Sequence, residues 1–396
     1  MQAFKFKLKT KPRQAQILSR IVGSCRYVYN HALALQKARY EACDKKLNYA
    51  GLCRMLTLLK KEETKAWLNH APSQALQQSL KDLERAYQHF FEKRAAFPVF
   101  KKRGIRDAFR YPQGCRLNQE SQQLFLPKVG WLSYFQSKKV VGDIKNVTVS
   151  RKANDWYVSI QTEREVESAI HPKTNIVGID MGIAQFATLS TGKVYEAANA
   201  LKTRMARLAF QQRRLSRKVK FSQNWLKQKH KITTLHQVVG NIRLDHLHQI
   251  SHDISKNHAV IVLEDLQIKN MSQSAKGSLQ HPGKKVKAKS GLNRSILDQG
   301  LGEFRRQLQY KAIWSGGDVV LIDPKYTSLT CPKCQHIDKG NRKTQSSFVC
   351  LSCGFHANAD YVAALNILAA GHAVLACGET ARLGCSMKQE PICQVA

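Results

Sequence analysis

The chain has 396 residues, a length that suits two or three domains, and its 43% hydrophobic content is that of a globular protein able to bury a core. Its 64 Lys and Arg against 28 Asp and Glu leave a formal net charge of +36, which excludes an ordinary balanced surface. Such a chain repels itself unless a polyanion covers it, and nucleic acid is the polyanion this excess points to.

In chain order, residues 4–10, FKFKLKT, alternate apolar and basic, as a half-buried strand does. From Pro12 the period lengthens: Ile17, Ile21, Cys25, Val28 and Ala32 share one helical face, and Pro12 suits a first helical turn. Leu76, Leu80, Leu83, Tyr87 and Phe90 mark a second helix, and both stripes read as bundle core. After Ala96 the pattern turns to β. Val147 and Val149 alternate with polar residues, Asn154-Asp155 signals a turn, and Trp156, Val158 and Ile160 alternate again. Just before them, residues 97–112, FPVFKKRGIRDAFRYP, interleave Phe97, Phe100, Phe109 and Tyr111 with Lys101, Lys102, Arg103, Arg106 and Arg110. That mixture fits bases stacked on aromatics with phosphates held by cations, and equally a strand pair with an apolar inside and a charged outside.

From Ala197 to Leu244 there is no acidic residue. Arg213, Arg214, Arg217 and Lys218 stand among many cations there, over a sparse apolar stripe of Met205, Leu208 and Leu215. A solvated helix ordinarily mixes signs to gain pairs one turn apart. Forgoing them points to a phosphate backbone as partner. Residues 272–290, SQSAKGSLQHPGKKVKAKS, lack periodicity and read as a mobile basic loop.

Cys331-Pro-Lys-Cys334, then fifteen residues, then Cys350-Leu-Ser-Cys353 has the spacing of a zinc site. Two such knuckles can hold Zn²⁺ tetrahedrally at about 2.3 Å, and four thiolates close the shell, so the site is structural. A redox pair and chance pairing are the competing readings. Cys377, Cys385 and Cys393 recur at even spacing with no chemistry attached. The N-terminal residues MQAFKFKLKTKPRQ lack the apolar core of a secretory signal, and residues 361–377 read as too short and too polar to span a membrane. A reducing intracellular compartment follows, where paired cysteines bind metal more often than they form disulfides.

Three acids stand apart. Asp180 ends the apolar run NIVGID, Glu264 ends AVIVLE, and Asp360 begins the helix ADYVAALNILAAG. An unbroken apolar run reads as a core strand of a parallel sheet, and a carboxylate at its end sits at the sheet margin. Acids on two strand ends and one helix start can converge to hold Mg²⁺ in a two-metal site. Each could also be a turn former or helix cap. Asp265 competes with Glu264, but neighbours on a strand face opposite ways, so only one of them serves.

IVGIDMG, VLEDL and NADYVAALNI resemble, in that order, the nuclease motifs of the TnpB (OrfB) family of transposon-encoded RNA-guided endonucleases and of the related type V CRISPR effectors. RIVGSCRYVYN, FPVFKKRGIRDAFRYP and GEFRRQLQYKAIWSGG resemble other stretches of the family, so the likeness runs through the chain to Gly371. One departure is Asn358-Ala359-Asp360, where many members carry Asp-Arg-Asp. The resemblance implies an α/β protein with helical and β-barrel parts. Residues 169–325 and 355–396 would form a split RNase H-like (RuvC-like) nuclease domain, interrupted at 326–354 by a four-cysteine zinc finger. Residues 1–11 and 96–168 would form a wedge-like β-barrel, and 12–95 a helical, helix-turn-helix-like recognition lobe. A guide RNA from the transposon end would occupy the basic surfaces, and double-stranded target DNA would be cut beside a short adjacent motif, in a prokaryotic, cytoplasmic, nucleoid-associated setting. Asp180, Glu264 and Asp360 would be catalytic through Mg²⁺. A DDE-like transposase and a nuclease-dead RNA-guided repressor are the alternatives; the repressor would require a lost acid, and all three are present.

Overall fold

The computed structural model describes residues 1–153, 155–165 and 169–376. They fall into two compact units, Met1–Val166 and Glu167–Ala396. Asn154 of the expected turn, and Cys377, Cys385 and Cys393, lie outside the described residues.

In the first unit, β1 (Gln2–Lys9) buries Phe4, Phe6 and Leu8 and turns the intervening lysines outward, as strand alternation dictates. The helix α1 (Pro12–Glu41) buries Ile21, Cys25, Val28 and Ala32 on one face. It is followed by α2 (Tyr49–Lys61), a 3-10 segment at Glu63–His70, and α3 (Ser73–Phe91), which buries Leu76, Leu80, Leu83 and Tyr87. The sequence reading has no counterpart for α2, whose buried stripe is only Leu52, Leu56 and Leu59. The remaining strands are β2 (Ala108–Tyr111), β3 (Arg116–Asn118), β4 (Gln123–Leu126), β5 (Gly130–Tyr134), β6 (Asp143–Lys152) and β7 (Asp155–Glu163). They join β1 in an antiparallel sheet of order β2-β6-β7-β1-β5-β4-β3. The expected wedge-like β-barrel is therefore not closed among the described residues. Its end strands β2 and β3 pair only with β6 and β4 and form no ladder with each other, and a barrel closes only when its two end strands pair.

The second unit carries β8 (Ile176–Met181), β9 (Gln185–Leu189), β10 (Val194–Glu196), α4 (Met205–Ser216), α5 (Gln223–Asn257), β11 (Val260–Glu264), α6 (Ile268–Met271), α7 (Val286–Gln299), α8 (Leu301–Trp314), β12 (Asp318–Ile322), β13 (Ser347–Val349), β14 (His356–Asn358) and α9 (Ala359–Ala376). Its main sheet runs β10-β9-β8-β11-β12. The apolar strands β8, β11 and β12 are parallel, and β9 and β10 are antiparallel additions. Val177, Ile179, Ile261 and Leu263 pack with Leu247, Ile250 and Ile254 of α5 and Phe304 and Leu308 of α8. Val262, Val320 and Ile322 pack on the opposite face with Ile367 of α9. The result is a sheet covered on both sides.

Residues 272–290 are not wholly a loop. Residues 286–290 open α7, Gly277 and Pro282 form a β-bridge, and Lys289 Nζ donates to the Met271 carbonyl. Lys and Ala are good helix formers, and the apolar residues that give α7 a buried side arrive only later, at Ile296. The helix α9, 18 residues with mean hydropathy 1.4, does have the length and composition of a membrane span, contrary to the reading of 361–377. Part of that apolarity is used in packing: Ile367 enters the sheet core, and Ala359 and Val362 enter a second cluster around Cys331 and Cys350.

Two glycines let α9 approach. A Cβ at Gly178 would lie 2.4 Å from the Ala364 carbonyl oxygen and 2.6 Å from the Leu368 nitrogen, and one at Gly371 would meet Val262 at 2.4 Å. Gly178→Ala is therefore expected to lower stability by about 1–3 kcal/mol, measured by denaturant unfolding, because backbone of α9 cannot rotate aside as a side chain could.

Candidate functional site

The strand register brings two of the acids together. Ile179 of β8 pairs with Leu263 of β11, so Asp180 and Glu264 follow side by side on parallel strands spaced about 4.8 Å apart. Alternation sends Ile179 and Leu263 toward α5 and α8, and hence Asp180 and Glu264 toward α9. The backbone of α9 rests on Gly178 at Ala364 and Leu368. Asp360, one turn before Ala364, thus begins the helix near the ends of the same strands. Asn358 accepts from the amides of Asp360 at 2.9 Å and Tyr361 at 3.3 Å, capping the helix and fixing that start.

Electrostatics registers the convergence. The Asp180 carboxyl is pushed up to about 7, first by burial, then by the negative charges of Glu264 and Asp360. Arg342 and the Met181 amide oppose the shift. Burial also raises Glu264, against the Thr327 hydroxyl, which donates to its Oε1 at 2.6 Å. Burial raises Asp360, against the Arg342 guanidinium 3.5 Å away. Asp265 faces the other way and pairs with Arg305 of α8 at 2.5 Å. Glu264, not Asp265, is the acid beside Asp180.

Thr327 and Arg342 carry no signal in the sequence. Thr327 lies in an unpatterned segment after β12, and Arg342 is one cation among several between the cysteine pairs. Asn366 of α9 donates to the carbonyls of Thr327 and Thr330, both at 2.7 Å, so the segment that orients Glu264 is itself fastened to the helix bearing Asp360.

The sulfurs of Cys331, Cys334, Cys350 and Cys353 all lie within 4.8 Å of one another. Cys331 and Cys353 are 3.6 Å apart, and Cys334 and Cys350 3.5 Å. Four thiolates bonded tetrahedrally at about 2.3 Å would stand roughly 3.8 Å apart, so one metal ion fits the group. The Cys353 amide donates to the Cys350 sulfur at 3.4 Å and lowers that thiol, while Cys353 is raised by its hydrogen bonds to the neighbouring cysteine sulfurs. Buried Asn341 braces the module, donating to the Leu329 and His336 carbonyls and accepting from the Leu351 amide.

The expected nucleic-acid contacts occupy exposed positions in each unit, except that Arg110 and Lys218 are half-buried. Lys101, Lys102, Arg103 and Arg106 lie in the segment before β2, with Arg110 on β2. Phe109 and Tyr111 point into the core, while Phe97 and Phe100 stay exposed, so the apolar-inside reading holds for the second half of residues 97–112 only. In the second unit, Arg213 and Arg214 stand exposed on the last turn of α4, Arg217 caps it, and Lys218 follows.

Family models match three stretches of the chain: "Probable transposase" (OrfB_IS605) over residues 159–275, "Cas12f1-like, TNB domain" over 302–367, and "Helix-turn-helix domain" over 1–46. InsQ of Escherichia coli, described as a "Putative RNA-guided DNA endonuclease", is 55% identical over 99% of this chain and 97% of its own length. A protein of the same description from Streptomyces pristinaespiralis is 33% identical over 98% of this chain and 96% of its own. The CRISPR-associated endodeoxyribonuclease Cas12f1 of Sulfoacidibacillus thermotolerans is 28% identical over 54% of this chain and 50% of its own. With identity of this degree running over almost the whole of both chains, this protein belongs to the TnpB (OrfB) family of IS605-type transposons.

Proposed function

We propose that this chain is an RNA-guided, Mg²⁺-dependent DNA endonuclease encoded by an insertion sequence, with Asp180, Glu264 and Asp360 as its phosphodiester-cleaving centre. The observation that carries the reading is the convergence of three half-buried or buried acids on the α9 side of one sheet. Mutual repulsion and burial penalise that arrangement unless cations occupy it. Membership of the family adds the guide RNA and the DNA target.

The donor set is all carboxylate oxygen, which suits Mg²⁺. Bound there, the ion would supply an activated water and neutralise charge on the leaving oxygen. The chain's own groups do the rest. Asp180, Glu264 and Asp360 would hold the ions; Thr327 fixes one oxygen of Glu264. Arg342 offsets part of the negative charge at Asp360. Lys101, Lys102, Arg103, Arg106, Arg110, Arg213, Arg214, Arg217 and Lys218 would hold phosphates, while base pairing to the guide reads the sequence.

On the same reading, residues 169–325 and 355–396 form a split RuvC-like domain, 326–354 a structural zinc insertion, 12–95 the recognition lobe, and 1–11 with 96–168 the wedge. The host compartment would be the prokaryotic cytoplasm.

Three outcomes test this reading. Asp180→Ala, Glu264→Ala and Asp360→Ala should each lower guided cleavage by about a thousandfold or more, a double variant should be little worse, and guided binding should persist; Asp265→Ala should still cut. Cleavage by all three single variants would sink the assignment. Elemental analysis should find one zinc per chain, absent from Cys331→Ser, whose melting temperature should fall. Finally, a carboxyl whose folded pKa is raised from 3.8 to about 7 favours the protonated fold, so its charging costs stability as pH rises through that window. Without divalent cation at pH 8, Asp180→Asn should therefore melt a few degrees above the parent chain by calorimetry, and at pH 4 the difference should nearly vanish.

A further inference from the structure

The first unit holds an aromatic pocket with no part in the chemistry above. The end of α1, the loop leading to α2, the end of α3 and the segment before β2 meet around a cavity of about 530 Å³, walled by Tyr40, Tyr87, Phe90, Phe91 and Phe97. The rings brace one another edge to face: Tyr87 and Phe97 at 5.7 Å and 86°, Phe90 and Phe97 at 5.2 Å and 82°. The pocket is nonetheless open, since Tyr40 is 84% exposed and Phe91 65%.

Two ammonium groups are built into it. Lys46 Nζ sits 4.6 Å from the centre of the Tyr87 ring and 5.5 Å from that of Phe91. Lys37 Nζ sits 5.3 Å from Phe97 and 5.0 Å from Phe100. The loop that carries Lys46 is pinned by buried Gln36, whose amide donates to the Leu47 carbonyl at 2.6 Å and accepts from the Leu47 amide at 3.0 Å. The lining has one carboxylate, Glu41, against these two cations.

These features select a guest. The volume is in the range of small-ligand sites, about 300–1,000 Å³, and the walls offer flat apolar faces. The ammonium groups reject a cationic guest such as a methylated amine. They also oppose a second copy of this chain, which would bring the same lysines and a further formal charge of +36. They welcome a flat ring tied to an anion. Beyond Phe97 and Phe100 the chain continues into exposed Lys101, Lys102 and Arg103, suited to neighbouring phosphates.

We propose that this pocket receives an unpaired nucleobase of a single strand, stacked on Phe91 and Tyr40, with Lys37 and Lys46 meeting its phosphates. The inference rests on the nucleic-acid partnership of the proposed function. It is tested with the full chain and short single-stranded RNA and DNA of one mixed sequence, with the fluorescent base 2-aminopurine walked through each. The parent chain should bind and quench the probe at defined positions. A Tyr40→Ala, Phe91→Ala double variant should bind at least about fivefold more weakly, losing that quenching but keeping the salt dependence, while Phe91→Tyr should behave as the parent. Stronger quenching on the RNA arm would identify the guide as the source, and on the DNA arm a displaced strand. If the parent binds and the double variant binds and quenches equally, the pocket assignment is wrong and the nucleic-acid reading stands. A concentration-dependent dimer of the parent that the double variant abolishes would make a second copy the occupant instead. If the parent binds neither strand, both readings fall.

Discussion

Like charges repel, and the second unit is built around holding three of them together. Asp180 and Glu264 are forced side by side by the parallel register of β8 and β11, which the buried Val177, Ile179, Ile261 and Leu263 secure on the other face. Asp360 is brought in by a helix that lies so close to the sheet that Gly178 and Gly371 have no room for a side chain. The hydrophobic packing of both faces is thus the force that opposes the repulsion. Asp265, one residue further on, escapes it by turning to the opposite face and pairing with Arg305.

The cysteine module is part of that same clamp. Its apolar cluster includes Ala359, which precedes Asp360 on α9, and Val362, two residues beyond it. Arg342, from the stretch between the two cysteine pairs, approaches Asp360, and Thr327, just ahead of the first pair, bonds Glu264. Disorder in the module would therefore reach two of the three acids through short covalent and hydrogen-bonded paths.

Local patterns in the sequence carried much of this. The alternation of FKFKLKT, the four-three stripe of α3, the apolar runs ending near Asp180 and Glu264, and the paired cysteines each reflect a constraint confined to a few neighbouring residues. Strand alternation says that only one of Glu264 and Asp265 serves; which one follows from the register of β8 with β11 and from Arg305 of α8, which takes Asp265. What was not legible depends on distant partners. Thr327 and Arg342 matter through groups far along the chain, α2 buries too short a stripe to stand out, and the start of α7 has no apolar period. Residues 97–112 mix the two cases: the buried Phe109 and Tyr111 fit the strand pattern, while the exposure of Phe97 and Phe100 was open until neighbouring helices were in view.

The position of α9 ties two kinds of completeness together. A ribosome makes the first unit, the acid-free run of residues 197–244 and both strand-borne acids before it reaches residue 360. A nascent or prematurely terminated chain therefore has most of its basic surface but not its third acid. The same chain also lacks the helix that covers Val262, Val320 and Ile322, so one face of its sheet stays bare. Such a product is apolar where the finished protein is sealed, which exposes it to chaperones and proteases. On the proposed function, quality control of the fold would double as quality control of the chemistry, since an abortive copy able to occupy nucleic acid without cutting it is also one that chaperones and proteases clear.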